Sequence, residues 1–172
     1  MSGELNWVRA DLHPELLAEP VLTAVRGIDE ARVAEIDPAL ADTAAFCERY
    51  GMPLSTSANC VVVAARRGGE VSYAACVVPA TRRADVNGVV RRHLGARKAS
   101  FAPMEEATGL TGMEYGGITP FGLPGDWPVL VDEAVVAEDE VVVGSGVRRS
   151  KLLVPGKLLA GLPGAEVLAL AR

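Results

Sequence analysis

The segment Asn59–Pro79, NCVVVAARRGGEVSYAACVVP, decides how this chain folds. Its first half, Asn59–Arg66, is rich in β-branched residues, and Val71–Val78 answers it. Between them Gly68-Gly69 supplies the positive φ angles that a tight hairpin turn demands. Both halves are apolar nearly throughout. That pattern places the hairpin centrally, in a sheet covered on both faces. Pro79 ends the second strand.

Working outward, residues 12–26 read as a helix interrupted or begun near Pro20, and Ala31–Ile36 alternates as a short strand. Asp37-Pro38 reads as an N-cap followed by proline at the first helical position. The helix it starts is expected to run to Tyr50 and stop at Gly51, with Leu40, Ala44, Ala45 and Cys47 on one face. Asp85 is expected to cap a helix over Val86–Leu94. Lys98–Ala102 reads as a strand, and 103–108 as a short helix with an acidic first turn. A Gly- and Pro-rich loop follows over 109–128; loops of that length in a compact domain are usually functional. Strands are expected at Val129–Asp132, Glu140–Gly144, Lys151–Val154 and Glu166–Ala171, with a short helix at Pro155–Leu162. Many strands with interspersed helices and an early hairpin imply a mixed sheet. The class is α/β or α+β, not a doubly wound parallel fold. No repeat or linker divides the chain, so 1–172 reads as one domain.

A chain of 172 residues buries about 18,000 Å² on folding, enough to stand without a disulfide or structural metal. Hydrophobic residues make up 49% and charged residues 23%, which excludes disordered and collagen-like classes. Cys47, Cys60 and Cys76 are odd in number and lack C-x-x-C spacing, so neither a disulfide framework nor a zinc site is expected. The N-terminal stretch lacks the apolar run of a signal peptide, and no segment reaches the length of a membrane span. A reduced, cytoplasmic setting follows.

The net charge of −5 argues at first against nucleic acid. It is unevenly spread, however. Residues 66–98 carry eight basic and two acidic groups, and 148–172 carry five and one. Residues 99–147 carry nine acidic groups and no Lys or Arg. Either these blocks are ordinary solvated faces, or the basic ones meet an anionic partner.

The loop Tyr115-Gly-Gly-Ile-Thr-Pro-Phe-Gly-Leu-Pro124 is the part least explained by folding. Gly116, Gly117 and Gly122 permit close approach of a ligand, Pro120 stiffens the turn, and exposed N–H groups suit a carbonyl, carboxylate or phosphate oxygen. A tight loop without a ligand would use the same residues.

With its neighbours this loop resembles the YbaK/prolyl-tRNA-synthetase-associated editing domains, which deacylate mischarged tRNA. The resemblance spans about Asp37 to Ala165, leaving 1–36 as a variable N-terminal part. Gly116-Gly-Ile-Thr-Pro-Phe-Gly-Leu123 is similar to the family's GGxxPxG loop. Leu110-Thr111-Gly112 resembles the TG before it. Val129–Asp132 resembles the strand ending in an aspartate, Val141–Gly146 the VSxG strand, and Ser150–Leu159 the closing strand and helix. The resemblance implies a central, partly barrel-like mixed sheet flanked by helices.

It also implies a deacylase in which the loop backbone orients the aminoacyl ester and stabilises charge on its carbonyl oxygen. The residues it points to are Asn59, Gly116 and Gly117 for catalysis. Ile118, Thr119, Pro120, Gly122, Asp132, Ser145 and Gly146 are the substrate-binding candidates. For Asp132 a strand-end cap reads equally well, and Thr119 and Ser145 also suit turns. Tyr115 and Trp127 either stack on the terminal adenine or pack the loop. Arg82, Arg83, Arg148 and Arg149, with Lys151, are the expected phosphate contacts.

The implied partner is the aminoacyl-tRNA acceptor end, with neither DNA nor a membrane, and the protein acting as a monomer or homodimer. No metal or organic cofactor is implied. The family's lysine at the start of the first central strand is replaced by Asn59. Either Asn59 stands in by hydrogen bonding, or an arginine such as Arg82 or Arg148 brings the charge. The remaining alternative is a non-catalytic protein that binds aminoacyl-tRNA or a small molecule.

Overall fold

The strand hairpin forms as the sequence dictates, and the rest of the chain is built on its two edges. The computed structural model describes residues 4–172; the first three residues of the N-terminal stretch read above lie outside it. In chain order the elements are β1 (Val8–Arg9), α1 (Glu19–Val25), β2 (Arg32–Glu35), α2 (Thr43–Tyr50), β3 (Ala58–Arg67) and β4 (Glu70–Pro79). A π-helical turn, Val86–Val90, continues into α3 (Arg91–His93), followed by β5 (Lys98–Phe101) and α4 (Met104–Thr111). Then come β6 (Val129–Asp132), α5 (Glu133–Val136), β7 (Val141–Gly144), β8 (Ser150–Val154), α6 (Gly156–Leu159) and β9 (Ala165–Leu168).

The strands form two sheets. One has the order β5-β3-β4-β6-β9, the other β1-β2-β8-β7. β3 and β4 pair antiparallel from Ala58 opposite Pro79 to Arg67 opposite Glu70. Gly68 and Gly69 close the turn at φ 58° and 83°, the mirror-image turn that follows the right-handed strand twist. β5 adds antiparallel to β3, while β6 pairs parallel to β4 and β9 parallel to β6. The mixed α/β class expected from the sequence is the class observed. The sheets touch where Ser57 bridges Val142, just before Asn59.

Strand alternation sends successive residues to opposite faces. Val77, Val129 and Val131 pack between the sheets with Val33, Phe121, Val141 and Leu152. Cys76, Val78 and Leu130 face the other way, under Val86 and Val90. The hairpin is therefore covered on both faces.

Local corrections have local causes. Asp37 caps only a 3-10 turn, Pro38–Leu40. The cap of α2 is Asp42, which accepts from the Ala44 and Ala45 N–H groups. The buried face of α2 is consequently Phe46 and Cys47, not Ala44. Gly51 ends α2 at φ 70°, as expected. α4 is longer than expected because Gly109 stays inside it and Gly112 terminates it. Within the N-terminal part, β1 and β2 extend the second sheet against β8.

Asp132 secures the end of the chain. Its carboxylate is 2% exposed. One oxygen caps α5 at Ala134 N–H (3.0 Å), and the other accepts from Leu170 and Ala171 N–H (3.0 Å each). Removing it strands one buried donor and two half-buried ones. Asp132→Ala is expected to cost about 3 kcal/mol of unfolding free energy, and Asp132→Asn distinctly less, measured by urea denaturation. A loss below about 0.5 kcal/mol in the alanine variant would contradict this latch.

Candidate active-site cleft

Asn59 is the second residue of β3, at the seam between the sheets. Thr43, the first residue of α2, donates its hydroxyl to Asn59 Oδ1 at 2.6 Å. The Asn59 amide N–H₂ is left without a protein partner among the described residues. The side chain is thus fixed at one end and available at the other.

Two cavities adjoin Asn59. The first, about 310 Å³, is lined by Asn59, Thr43, Gly116, Ile118, Gly144 and Lys151, with Met104, Ala107 and Tyr115 among its other walls. The second, about 370 Å³, is lined by Asn59, Arg82, Arg83, Asp85, Asn87 and Arg172. Asn59, Val61 and Phe101 line both. Three residues thus border both cavities, the glycine loop walling one and a cluster of three arginines the other.

The loop's shape comes from close packing. Gly116 sits at φ 89°, and a Cβ there would lie 2.4 Å from Nη1 of Arg148. Gly117 N–H donates to Glu114 C=O (2.9 Å), and Gly117 C=O accepts from Gly146 N–H (2.7 Å). Gly117 is thus spent on holding the turn. The flanking N–H groups of Gly116 and Ile118 carry no protein acceptor among the described residues. Both residues line the first cavity.

Several expected site residues lie elsewhere. Asp132 is outside both cavities and occupied by backbone donors, so the strand-end cap is the reading that holds. Ser145 is fully buried, its hydroxyl held between the carbonyls of Val147 and Ser150 (3.1 Å each). Gly146 packs on Ala18, and Gly122 on the carbonyl of Pro20. Thr119 and Pro120 are buried beneath the loop. The Thr119 hydroxyl has no partner among the described residues. Trp127 is buried and stacks on Tyr73 at 5.5 Å, whereas Tyr115 is 58% exposed at the cavity wall.

The arginines divide the same way. Arg82 and Arg83 are exposed in the second cavity. The Arg148 guanidinium donates to the carbonyls of Tyr115 (3.1 Å) and Pro38 (3.0 Å). The Arg149 guanidinium donates to the carbonyl of Glu15 (2.8 and 3.2 Å). These two brace the loop and the N-terminal segment, and neither lines the second cavity. Lys151, expected among the phosphate contacts, is corrected: it is 5% exposed and lines the first cavity. Burial pushes its pKa down to about 8, against smaller upward pulls from Cys47 and Asp42.

Sequence reasoning missed Phe101, Arg172 and the cavity position of Lys151. Phe101 ends β5 beyond its cover, 58% exposed. Cys60 also lines the first cavity, and burial holds its thiol protonated well above the ordinary range. A thiol held protonated is a poor nucleophile. Among the described residues no helix is long and apolar enough to cross a membrane, and no group of three His, Cys, Asp or Glu is arranged to hold a metal.

A crystal structure described as a candidate trans-editing enzyme for prolyl tRNA synthetase is 25% identical, with a TM-score of 0.77 over 90% of this chain and 96% of that one. The crystallised hypothetical protein APE2540 shares the fold at 21% identity and TM-score 0.79, covering 90% of this chain and 100% of its own. So does a scaffold used for epitope grafting, at 24% identity and TM-score 0.77, covering 90% and 97%. No curated protein matches the chain in sequence. The family model for the aminoacyl-tRNA editing domain matches residues 37–162, from the first Asp cap through the glycine loop to just past α6. The chain belongs to the aminoacyl-tRNA editing domain family.

Proposed function

We propose that this protein hydrolyses the ester of mischarged aminoacyl-tRNA, with the acyl group in the first cavity and the terminal nucleotide in the second. The observation that carries this reading is that Asn59, Val61 and Phe101 border both cavities. An acyl-sized chamber beside a cationic groove is what an aminoacyl ester on a nucleotide requires.

The chemistry follows from the groups available. Water, activated by a hydroxyl of the substrate ribose, adds to the ester carbonyl. Negative charge develops on the carbonyl oxygen. Two fixed N–H dipoles, those of Gly116 and Ile118, can stabilise it without reorganising. The C–O bond to the ribose then breaks, the ribose oxygen takes the proton, and free amino acid leaves. The Asn59 amide donates to the ribose or the ester and holds it in register. Phe101 offers an exposed ring between the chambers on which the terminal base stacks. Arg82, Arg83 and Arg172 meet the adjacent phosphates.

Deacylation of a panel of mischarged tRNAs is expected to exceed the buffer rate for at least one acyl group. Binding without turnover on every member would instead identify a non-catalytic protein. Gly116→Ala is expected to lower kcat/KM at least about 100-fold, the scale of losing one preorganised oxyanion donor. An unaffected variant removes the loop from the mechanism. Phe101→Ala is expected to raise KM about 5- to 100-fold, the worth of one stacked base, with kcat less affected. With three arginines at phosphates, log(kcat/KM) against log[salt] should have a slope of about −2 to −3. Arg82→Ala or Arg83→Ala should flatten it by about 0.7–0.9; an unchanged slope would place the phosphates elsewhere.

A further inference from the structure

The first cavity contains one charge that the reaction above does not use. Among its lining residues Lys151 is the only cation and Asp42 the only anion. Lys151 stands on β8 opposite Gly144 of β7. Gly144 in turn packs against the carbonyls of Gly117 and Ile118. The lysine is therefore registered to the glycine loop through the sheet.

Its Nζ donates to the carbonyl of Ala41 at 2.7 Å and lies 5.5 Å from the centre of the Phe46 ring. It forms no ion pair among the described residues. An ammonium has three donors, and one is used. A buried cation in this state is costly unless something else accepts from it. A ligand oxygen in the cavity would supply the missing acceptor, and a ligand cation would be repelled.

We propose that Lys151 is a substrate-positioning residue whose ammonium donates to an oxygen of the bound aminoacyl group, so that the cavity accepts acyl groups with oxygen-bearing or neutral side chains and rejects those with cationic side chains. The proposal rests on the deacylase reading and names the charge selectivity of the same site. Two oxygens could serve, the ester carbonyl or a side-chain oxygen, and they make different predictions.

The groups facing Lys151 are Asp42 at the start of α2, Cys47 within it, and Arg148 just before β8. Its depressed pKa of about 8 sets the sign of the pH effect. Below that pH the amine is charged and can hold the substrate. Above it the charge is lost, so kcat/KM corrected for buffer hydrolysis should fall above about pH 8. The same depression means that the folded state binds the proton less well than the unfolded chain. Wild-type stability should therefore rise between about pH 8 and the ordinary lysine value of 10.5.

The test is Lys151→Met, which keeps the length and apolar stem but removes the charge. The expected result is a 10- to 100-fold loss of kcat/KM, the scale of a charge-assisted hydrogen bond. The fall above about pH 8 should vanish, and the melting temperature at pH 7 should be unchanged or higher. A purely structural lysine would give a lower melting temperature and an unaltered pH profile. Equal losses across all acyl groups assign the contact to the ester carbonyl. Losses confined to acyl groups with side-chain oxygens assign it to the side chain. An active wild type whose Lys151→Met variant keeps both kcat/KM and pH profile overturns the proposal, as does cleavage of lysyl or arginyl esters as fast as neutral ones.

If wild type deacylates nothing, the deacylase reading fails first, and Lys151 is read directly. The chain has only three lysines, Lys98, Lys151 and Lys157. Carbon-13-labelled lysine would resolve the Lys151 titration, identified by its absence in Lys151→Met. An amide-linked aminoacyl adenosine should raise its midpoint by about one pH unit, corresponding to tenfold tighter binding to the charged form. No shift at saturating ligand, or no binding, overturns the proposal.

Discussion

Ten consecutive residue pairs between β3 and β4, closed by Gly68 and Gly69, fix the register on which the site depends. A one-residue slip would exchange the faces of both strands. It would turn Val77 away from the inter-sheet core and Cys76 away from the helical layer. Because each face is buried against a different layer, the register is specified twice. Asn59 inherits its position from that constraint: it faces Val78 across the hairpin and lies two residues beyond the bridge that joins the sheets.

The glycine loop is held from the opposite side by contacts remote in sequence. Arg148 ties Tyr115 to Pro38, Ser145 C=O receives Ala18 N–H, and Gly122 and Gly146 press on the segment that opens α1. Groups on residues lining the first cavity that lack a full set of partners include the Gly116 and Ile118 N–H groups, the Asn59 amide and the Lys151 ammonium. Preorganisation of this kind lets donors act on developing charge without first rearranging.

The hairpin was legible because its signals are local: β-branched runs, two glycines, a terminal proline. The glycine loop was legible as a motif, since its composition exceeds what a connection needs. The roles within it were not. Gly116 and Gly117 look alike in sequence, yet one leaves its N–H free and the other spends both backbone groups on neighbours. Asp132 resembled a pocket carboxylate because a strand-end aspartate reads the same in either role. Only the return of Leu170 and Ala171, encoded 38 and 39 residues later, decides between them. Lys151 reads from the sequence as a phosphate contact because it belongs to a basic block. Its burial is set by Ala41 and Phe46, more than a hundred residues earlier in the chain. Arg172 reaches the cleft only through the path of the final segment.

In the proposed function, two cavities that share Asn59 receive an acyl group at the loop and a nucleotide at the arginines. The most direct measurement is a crystal structure or NMR shift map with a non-hydrolysable, amide-linked aminoacyl adenosine. The predicted result places the acyl carbonyl against the Gly116 and Ile118 N–H groups, the ribose beside Asn59, and the adenine on Phe101. A ligand bound outside this cleft, or perturbations that leave Gly116, Ile118 and Asn59 untouched at saturation, would contradict it.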